Sequence, residues 1–291
     1  MQQGNIIKPK IYQTRQFKES VTKIIVTIIL LAGAWVAIMP LLWMFFTSVK
    51  SMEEIMSYPP TFFPKKFIWR NYIDAWNSAP FTRYTLNTLF LTTIGVISHV
   101  IVNSFIAYGF AKIGFRMKSK LFTLVLSTMM IPGFVTLIPT YILFAKLGWV
   151  GTYLPLIVPG FFGSAYEIFL LRQFFMSLPD EYVEAAKIDG ANHFYIWAKL
   201  MVPLIKPALL TVGIMTFNGA WNDFLGPLLY VNNEMMYTLQ IGLQNFRGTV
   251  QTQWHYLMAA SVLVLLPVII IFFVFQKYFI EGMNIQVGVK G

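Results

Sequence analysis

Cysteine is absent from this chain of 291 residues, and charge is scarce. Without thiols there is no disulfide framework and no cysteine-based metal site, and nothing is learned about redox compartment. Only 12% of the residues are Asp, Glu, Lys or Arg, whereas soluble domains carry about 25%. The phosphate-binding pattern G-x-x-x-x-G-K-[ST] does not occur, which excludes nucleotide binding of that kind, and neither H-E-x-x-H nor G-x-S-x-G is found. The histidines His99, His193 and His255 are scattered, so no catalytic or metal constellation emerges and no metal ligand is assigned. His99 falls within an apolar run and reads as a helix–helix hydrogen-bonding group in preference to a ligand. Heptads, low-complexity tracts and internal repeats are also missing.

What fills the chain is apolar. Hydrophobic residues make up 57% of it, and mean hydropathy is +0.63. A hydrocarbon layer about 30 Å thick needs roughly 20 apolar residues in a helix. Six runs meet that length: Ile24 to Phe46, Tyr84 to Ala111, Leu121 to Ala145, Leu147 to Leu171, Pro207 to Val231 and Gly248 to Phe275. The fourth holds one acid, Glu167, and the fifth holds Asp223; the other four hold no formal charge. The expected fold class is therefore an all-α integral membrane protein with six transmembrane helices. The first run is too long for a signal-peptide core and no small-residue cleavage site follows it, so it reads as a retained span.

Orientation comes from Lys and Arg. With the N-terminus inside, 15 of the 22 basic residues fall in inner segments and seven in outer ones, as the positive-inside rule asks. This predicts that residues 1–23 form a cytoplasmic N-terminal tail, 24–46 the first span and 47–83 an extracytoplasmic loop. A five-helix core of 84–276 and a cytoplasmic tail of 277–291 follow. The net charge of +10 is spread between the apolar runs and forms no patch for nucleic acid. The outer loop carries Pro59, Pro60, Pro64, Pro80, Trp69, Tyr72 and Trp76. Two readings fit it: a small folded or amphipathic cap, or an irregular connector anchored by interfacial aromatics. Prolines inside the spans (Pro40, Pro132, Pro139, Pro155, Pro159, Pro227, Pro267) free backbone carbonyls that a neighbouring helix or a wet cavity must satisfy.

The most informative segment is SLPDEYVEAAKIDGANHFYIWAKLMVPLIKP, Ser177 to Pro207. Ser177 with Asp180 fits a capping box, which predicts a short helix from about Pro179 to Ile188. Tyr182, Ala185 and Ala186 share one face. Gly190 suits the left-handed position that ends a helix, and a second helix is expected from near Asn192 to Pro203. The product is a compact helix-turn-helix knob; periodicity alone also allows an interfacial hairpin.

Spacing adds more. Glu184-Ala185-Ala186, three residues, Gly190, nine residues and then Leu200-Met201-Val202-Pro203 resembles the EAA loop of ABC importer permeases, with Leu200 and Val202 as conservative departures from its I-x-L-P ending. Asp189-Gly190-Ala191 is similar to the carbohydrate branch of that family. So are AYGFAKIGF (Ala107 to Phe115), MMIP (Met129 to Pro132), FLLRQFF (Phe169 to Phe175), TFNGAWNDFLGPLLY (Thr216 to Tyr230) and the ending GVKG. The likeness is greatest to the smaller permease of maltose-type importers. It implies the type I importer fold and a heterodimer with a second permease. It also implies two ATPase subunits that bind ATP and its Mg²⁺, an extracytoplasmic solute-binding protein, and an oligosaccharide as cargo. The location implied is a prokaryotic plasma membrane with both termini cytoplasmic. This chain is then a transporter subunit with no enzyme activity and no cofactor of its own. Glu184, Ala185, Ala186, Asp189, Gly190 and Pro203 become the residues expected to couple to the ATPase.

An ionisable residue inside a span is costly and by default functional. Asp223, preceded by Trp221 and Asn222, offers a carboxylate, an amide and a ring for a sugar; it also fits an interhelical network or a cap at a break before Pro227. Glu167, taken to lie near the cytoplasmic end of the fourth span, is expected to face the cavity, pair across the dimer, or snorkel to the headgroups. A stand-alone secondary transporter would need two repeated halves, and an intramembrane enzyme would need a catalytic constellation; neither is present in the sequence. A permease for phosphate esters would be expected to carry Lys or Arg deep in a span, and none is found there.

Overall fold

The computed structural model describes residues 15–248 and 252–287. Most of the expected N-terminal tail, residues 249–251 of the sixth run and the terminal GVKG lie outside them. Within the described residues the chain is helical, and the β-structure is one isolated bridge, Arg247 to Thr252. Four helices are long and apolar enough to cross a bilayer, and two bent pairs raise the count to six if each pair is one span.

The second span, Phe81–Lys112, is the axis of the fold. Its 32 residues rise about 48 Å, so it projects beyond the hydrocarbon. Tyr84, Thr88, Leu91 and Ser98 are buried at helical spacing, and that face packs on the fourth and fifth spans. Contact is close because the residues there are small. A Cβ on Gly95 would touch Ala220 and Thr216 of the fifth span at 3.9 Å, and one on Gly213 would touch Val100 at 3.7 Å. Such small residues let helix backbones approach in lipid, where packing and not hydrophobicity drives association.

The first span, Arg15–Ser48, leans mainly on the sixth, Trp254–Val287. Its apolar side chains are otherwise exposed, Val36 to 70%, as suits a helix whose solvent is lipid. The third run is not one straight helix. The segment Lys118–Met130, ending in a 3-10 turn, and the helix Gly133–Lys146 meet at 98° across the Pro132 break. The fourth differs from its expected bounds. Trp149 to Tyr153 form turns, and the span comprises Leu154–Ile157, a 3-10 turn Val158–Phe162 and Ala165–Ser177. Gly163, at φ +88°, makes the break. The fifth, Lys206–Trp221, continues as Leu225–Tyr230 after a break at Asn222 to Phe224.

The loop from 47 to 83 is folded. Asn71 Nδ2 donates to Ser48 O at 2.8 Å and Lys50 O at 2.9 Å, Tyr72 Oη lies 2.7 Å from Ser48 Oγ, and Phe46, Phe62 and Phe63 form a ring cluster. Two apolar cores result. One, termed inner for the side the Lys and Arg distribution predicts, unites Tyr108, Leu171, Phe175, Val183, Ile196 and Met201. The outer one unites Ala75, Phe81, Tyr84, Trp221, Leu239 and Phe246. A strap at Met235 to Leu239 closes the outer end: Asn87 Nδ2 donates to Met235 O and Tyr237 O at 2.8 and 2.9 Å, and Leu239 N donates to Thr88 Oγ1 at 2.9 Å.

Candidate functional site

Two places carry polar chemistry. One is the knob. Its first helix is Glu181–Ile188, two residues later than expected, and the capping box is not formed. Ser177 ends the preceding helix and its hydroxyl donates back to Phe174 O at 2.8 Å. The Asp180 carboxylate is engaged elsewhere, accepting from Lys112 Nζ at 2.5 Å. That ammonium also donates to Leu178 O. The Lys112 hydrogen bond and charge hold the Asp180 carboxyl below the usual carboxylate range.

The turn itself is as expected. Gly190 has φ +83°, Gly190 N–H donates to Lys187 O at 3.0 Å, and Ala191 N–H donates to Ala186 O at 2.9 Å. This pair of bonds is the Schellman motif, which satisfies carbonyls left over at a helix end. Asn192 then caps the next helix, its Oδ1 accepting from Tyr195 N at 2.8 Å. The second helix runs His193–Tyr195, a π-helical turn Ile196–Met201 and Val202–Leu204. Beyond Pro203 the chain bends by 85° into the fifth span. Val183, Ile196, Trp197 and Met201 root the knob in the inner core, and Tyr108 Oη meets His193 Nδ1 at 3.0 Å. The free face presents Glu184, Ala185 and Asp189, with Ala186 half-buried beside them. It also presents Tyr182 and Ile188, the latter 87% exposed.

The second place lies between the two cores. Glu167 sits in the first turn of Ala165–Ser177, ten residues above Ser177, or about 15 Å. Its side chain is buried and bonded within this chain. His99 Nδ1 is 2.8 Å from Glu167 Oε2, a spacing met by the Nδ1–H tautomer. Asn103 Nδ2 donates to the same oxygen at 2.6 Å, and Thr216 Oγ1 lies 3.3 Å from Oε1. Asn103 Oδ1 in turn accepts Ser164 N–H at 2.7 Å, fixing the chain just after Gly163. Asn103 was a polar residue inside an apolar run, and that is the signal by which sequence reasoning might have found it.

Glu167 and His99 line a cavity of about 340 Å³ with Thr88, Gly95, Thr216, Gly219, Asp223 and Thr238. Asp223 stands at the break in the fifth span, where its Oδ1 accepts Gly226 N–H at 3.0 Å. Trp221 faces the other way: it is 3% exposed, stacks on Phe217, and its indole donates at 3.0 Å to Val264 O, near Pro267 in the sixth span. It is therefore not placed to pack on a sugar. Asn222 is exposed and bonded to Asn218 and Gln240. Among the described residues, no group of three or more His, Cys, Asp or Glu is placed to hold a metal ion.

A profile of the family described as binding-protein-dependent transport system inner membrane component matches residues 101–285. The chain belongs to this family. The arabinooligosaccharides transport permease AraQ of Halalkalibacterium halodurans is 32% identical over 261 residues, 89% of this chain and 93% of that one. The sn-glycerol-3-phosphate transport permease UgpE of Pectobacterium atrosepticum is 31% identical over 264 residues, 88% and 94% of the two chains. The crystal structure of a bacterial ABC transporter involved in import of the acidic polysaccharide alginate contains a chain of the same fold. Its TM-score is 0.81 at 25% identity, covering 93% of this chain and 100% of that one. The permease thus has the type I importer fold. It is an inner-membrane transport subunit, not an enzyme, and it works with a second permease, ATPase subunits that hydrolyse ATP, and a substrate-binding protein.

Proposed function

We propose that this permease translocates an oligosaccharide and receives the work of ATP hydrolysis through the Glu181–Leu204 knob. A subunit without a nucleotide site must be driven through a contact that is stiff and accessible. The observation that carries the proposal is the combination found in the knob: a root in the inner core and a turn closed by Gly190, under a face where Ile188 is left bare. Ala185 and Ala186 let a partner approach, and Glu184 offers a charge to a basic group. Pro203 marks the bend that passes the movement to the fifth span. The inner placement of this knob, and of both termini, rests on the distribution of Lys and Arg.

A sugar is favoured by a cavity of hydroxyls, carboxylates and an amide network, at the small end of the roughly 300–1,000 Å³ of ligand pockets. The likeness to an arabinooligosaccharide permease supports the same class. The likeness to a glycerol-3-phosphate permease favours a phosphate ester as the second reading, and the charge of the cavity weighs against it.

The test uses the native lack of thiols. A cysteine in place of Ala186 is expected to crosslink to the ATPase and not to the binding protein. One in place of Lys187 is expected to react with an impermeant thiol reagent only from the inner side. Crosslinking of position 186 to the binding protein, or labelling of position 187 in intact cells, overturns the assignment.

A further inference from the structure

The cavity lined by Glu167 and Asp223 has one sign of charge: among the described residues no Lys or Arg lines it. His99 is committed to Glu167 at 2.8 Å. With both carboxylates ionised, the lining carries net negative charge. The cavity also has an unmet polar demand. Thr238 lines it, is only 3% exposed, and its hydroxyl is buried with no partner. A buried hydroxyl without a hydrogen bond is unfavourable, and a solute hydroxyl or amine would satisfy it.

We infer that this cavity is an electrostatic filter, with Glu167 and Asp223 setting its sign, that admits uncharged and cationic sugars and rejects uronates and phosphate esters. The inference rests on the oligosaccharide reading and narrows it to a charge class. In a low-dielectric setting, two like charges repel an entering anion much more strongly than they would in water. A cationic amino sugar is drawn in by the same field. A neutral sugar is indifferent to it and finds hydrogen-bonding partners in Thr238 and the carboxylates. Glu167 is held in place by Asn103 and Thr216, so it acts as a fixed charge and does not swing out of the way.

The experiment reads charge preference directly in the assembled importer. Gly219 lines the cavity, and a Cβ there meets nothing within 4 Å, so Gly219→Cys places a thiol without crowding. Its reaction rates are measured with a trimethylammonium-ethyl and a sulfonato-ethyl methanethiosulfonate. Each rate is divided by that of the same reagent with a small free thiol, and the complex lacking Gly219→Cys supplies the background. The other half of the pore belongs to the second permease, so substitutions in this chain isolate its share. The expected preference for the cation is at least about tenfold, shrinking as salt is raised and by about threefold or more in Asp223→Asn and in Glu167→Gln. Asn and Gln each keep one acceptor oxygen and the side-chain shape, and Glu167→Gln serves if Asp223→Asn fails to assemble. A normalised ratio at or below one overturns the filter, as does a preference that neither substitution changes. If the cargo proves to be a neutral or cationic solute other than a sugar, the oligosaccharide reading falls while the cation preference stands. An anionic cargo passing with a ratio near one removes the filter itself.

Discussion

Gly190 allows the coupling turn to be perturbed in two graded steps. At φ +83° it occupies the left-handed region, and a Cβ built on it meets nothing within 4 Å. Gly190→Ala therefore adds backbone strain and no collision, on the order of 1–2 kcal/mol. Gly190→Pro is more severe for three reasons. Its ring fixes φ near −65°. It removes the N–H that donates to Lys187 O at 3.0 Å. It also disfavours the near-helical backbone of Asp189, at φ −72° and ψ 1°. The sum is about 3 kcal/mol or more, enough to abolish the turn. If the knob docks only in its closed form, the alanine variant should weaken ATPase binding roughly five- to thirty-fold, because 1.4 kcal/mol is about a factor of ten. The proline variant should lose coupling altogether. The assay is solute import per ATP hydrolysed in reconstituted complexes, alongside ATPase affinity for the permease pair. Membrane insertion should be normal in both. Full coupling in Gly190→Pro refutes the claim that this turn transmits the work. Equal effects of alanine and proline refute the claim that backbone conformation is what matters.

Three further outcomes are expected. Glu167→Ala strips His99, Asn103 and Thr216 of a shared partner and should destabilise the assembled permease by about 1–3 kcal/mol in detergent melting, while Glu167→Gln stays close to the parent. Gly242→Ala places a Cβ 2.5 Å from Tyr84 Cδ2, and this overpacking of the outer core should lower stability by about 1–3 kcal/mol with the knob untouched. The Lys112–Asp180 pair depresses the Asp180 carboxyl. Its support of the knob root is therefore fully present above the ordinary Asp value, about 3.9, and is lost as pH falls through the lower folded value. Knob protection from proteolysis should thus be flat from pH 5 to 8, and Lys112→Met should weaken it across that range.

What the sequence made legible is local. Gly190 announced a turn and Asn192 the start of a helix because their conformational preferences act over about four residues. Apolar length revealed the spans. Ser177 misled because the same residue type that caps a following helix also closes a preceding one, and nothing nearby distinguishes the two. The bend at Pro132 and the break at Gly163 hid inside uniformly apolar text, since hydropathy is blind to direction. The fourth run was ended too early because its apolar text fades at Leu171 while the helix continues to Ser177. The Glu167 partners His99 and Asn103 are more than sixty residues away in sequence. Only the approach of the second and fourth spans brings them together.

The second span carries both polar places on one continuous helix. Lys112 and Tyr108 grip the knob at its inner end, while His99 and Thr88 line the cavity further out. No proline interrupts the helix between them. Lys112 and His99 are thirteen residues apart, or about 20 Å along the axis. A tilt of about 5° imposed at the knob therefore shifts the cavity wall by roughly 2 Å, about two-thirds of a hydrogen-bond length. On the proposed coupling, the helix is a beam with its load at one end and the cavity wall partway along. Small rotations at the knob would then become displacements large enough to make or break a hydrogen bond in the cavity.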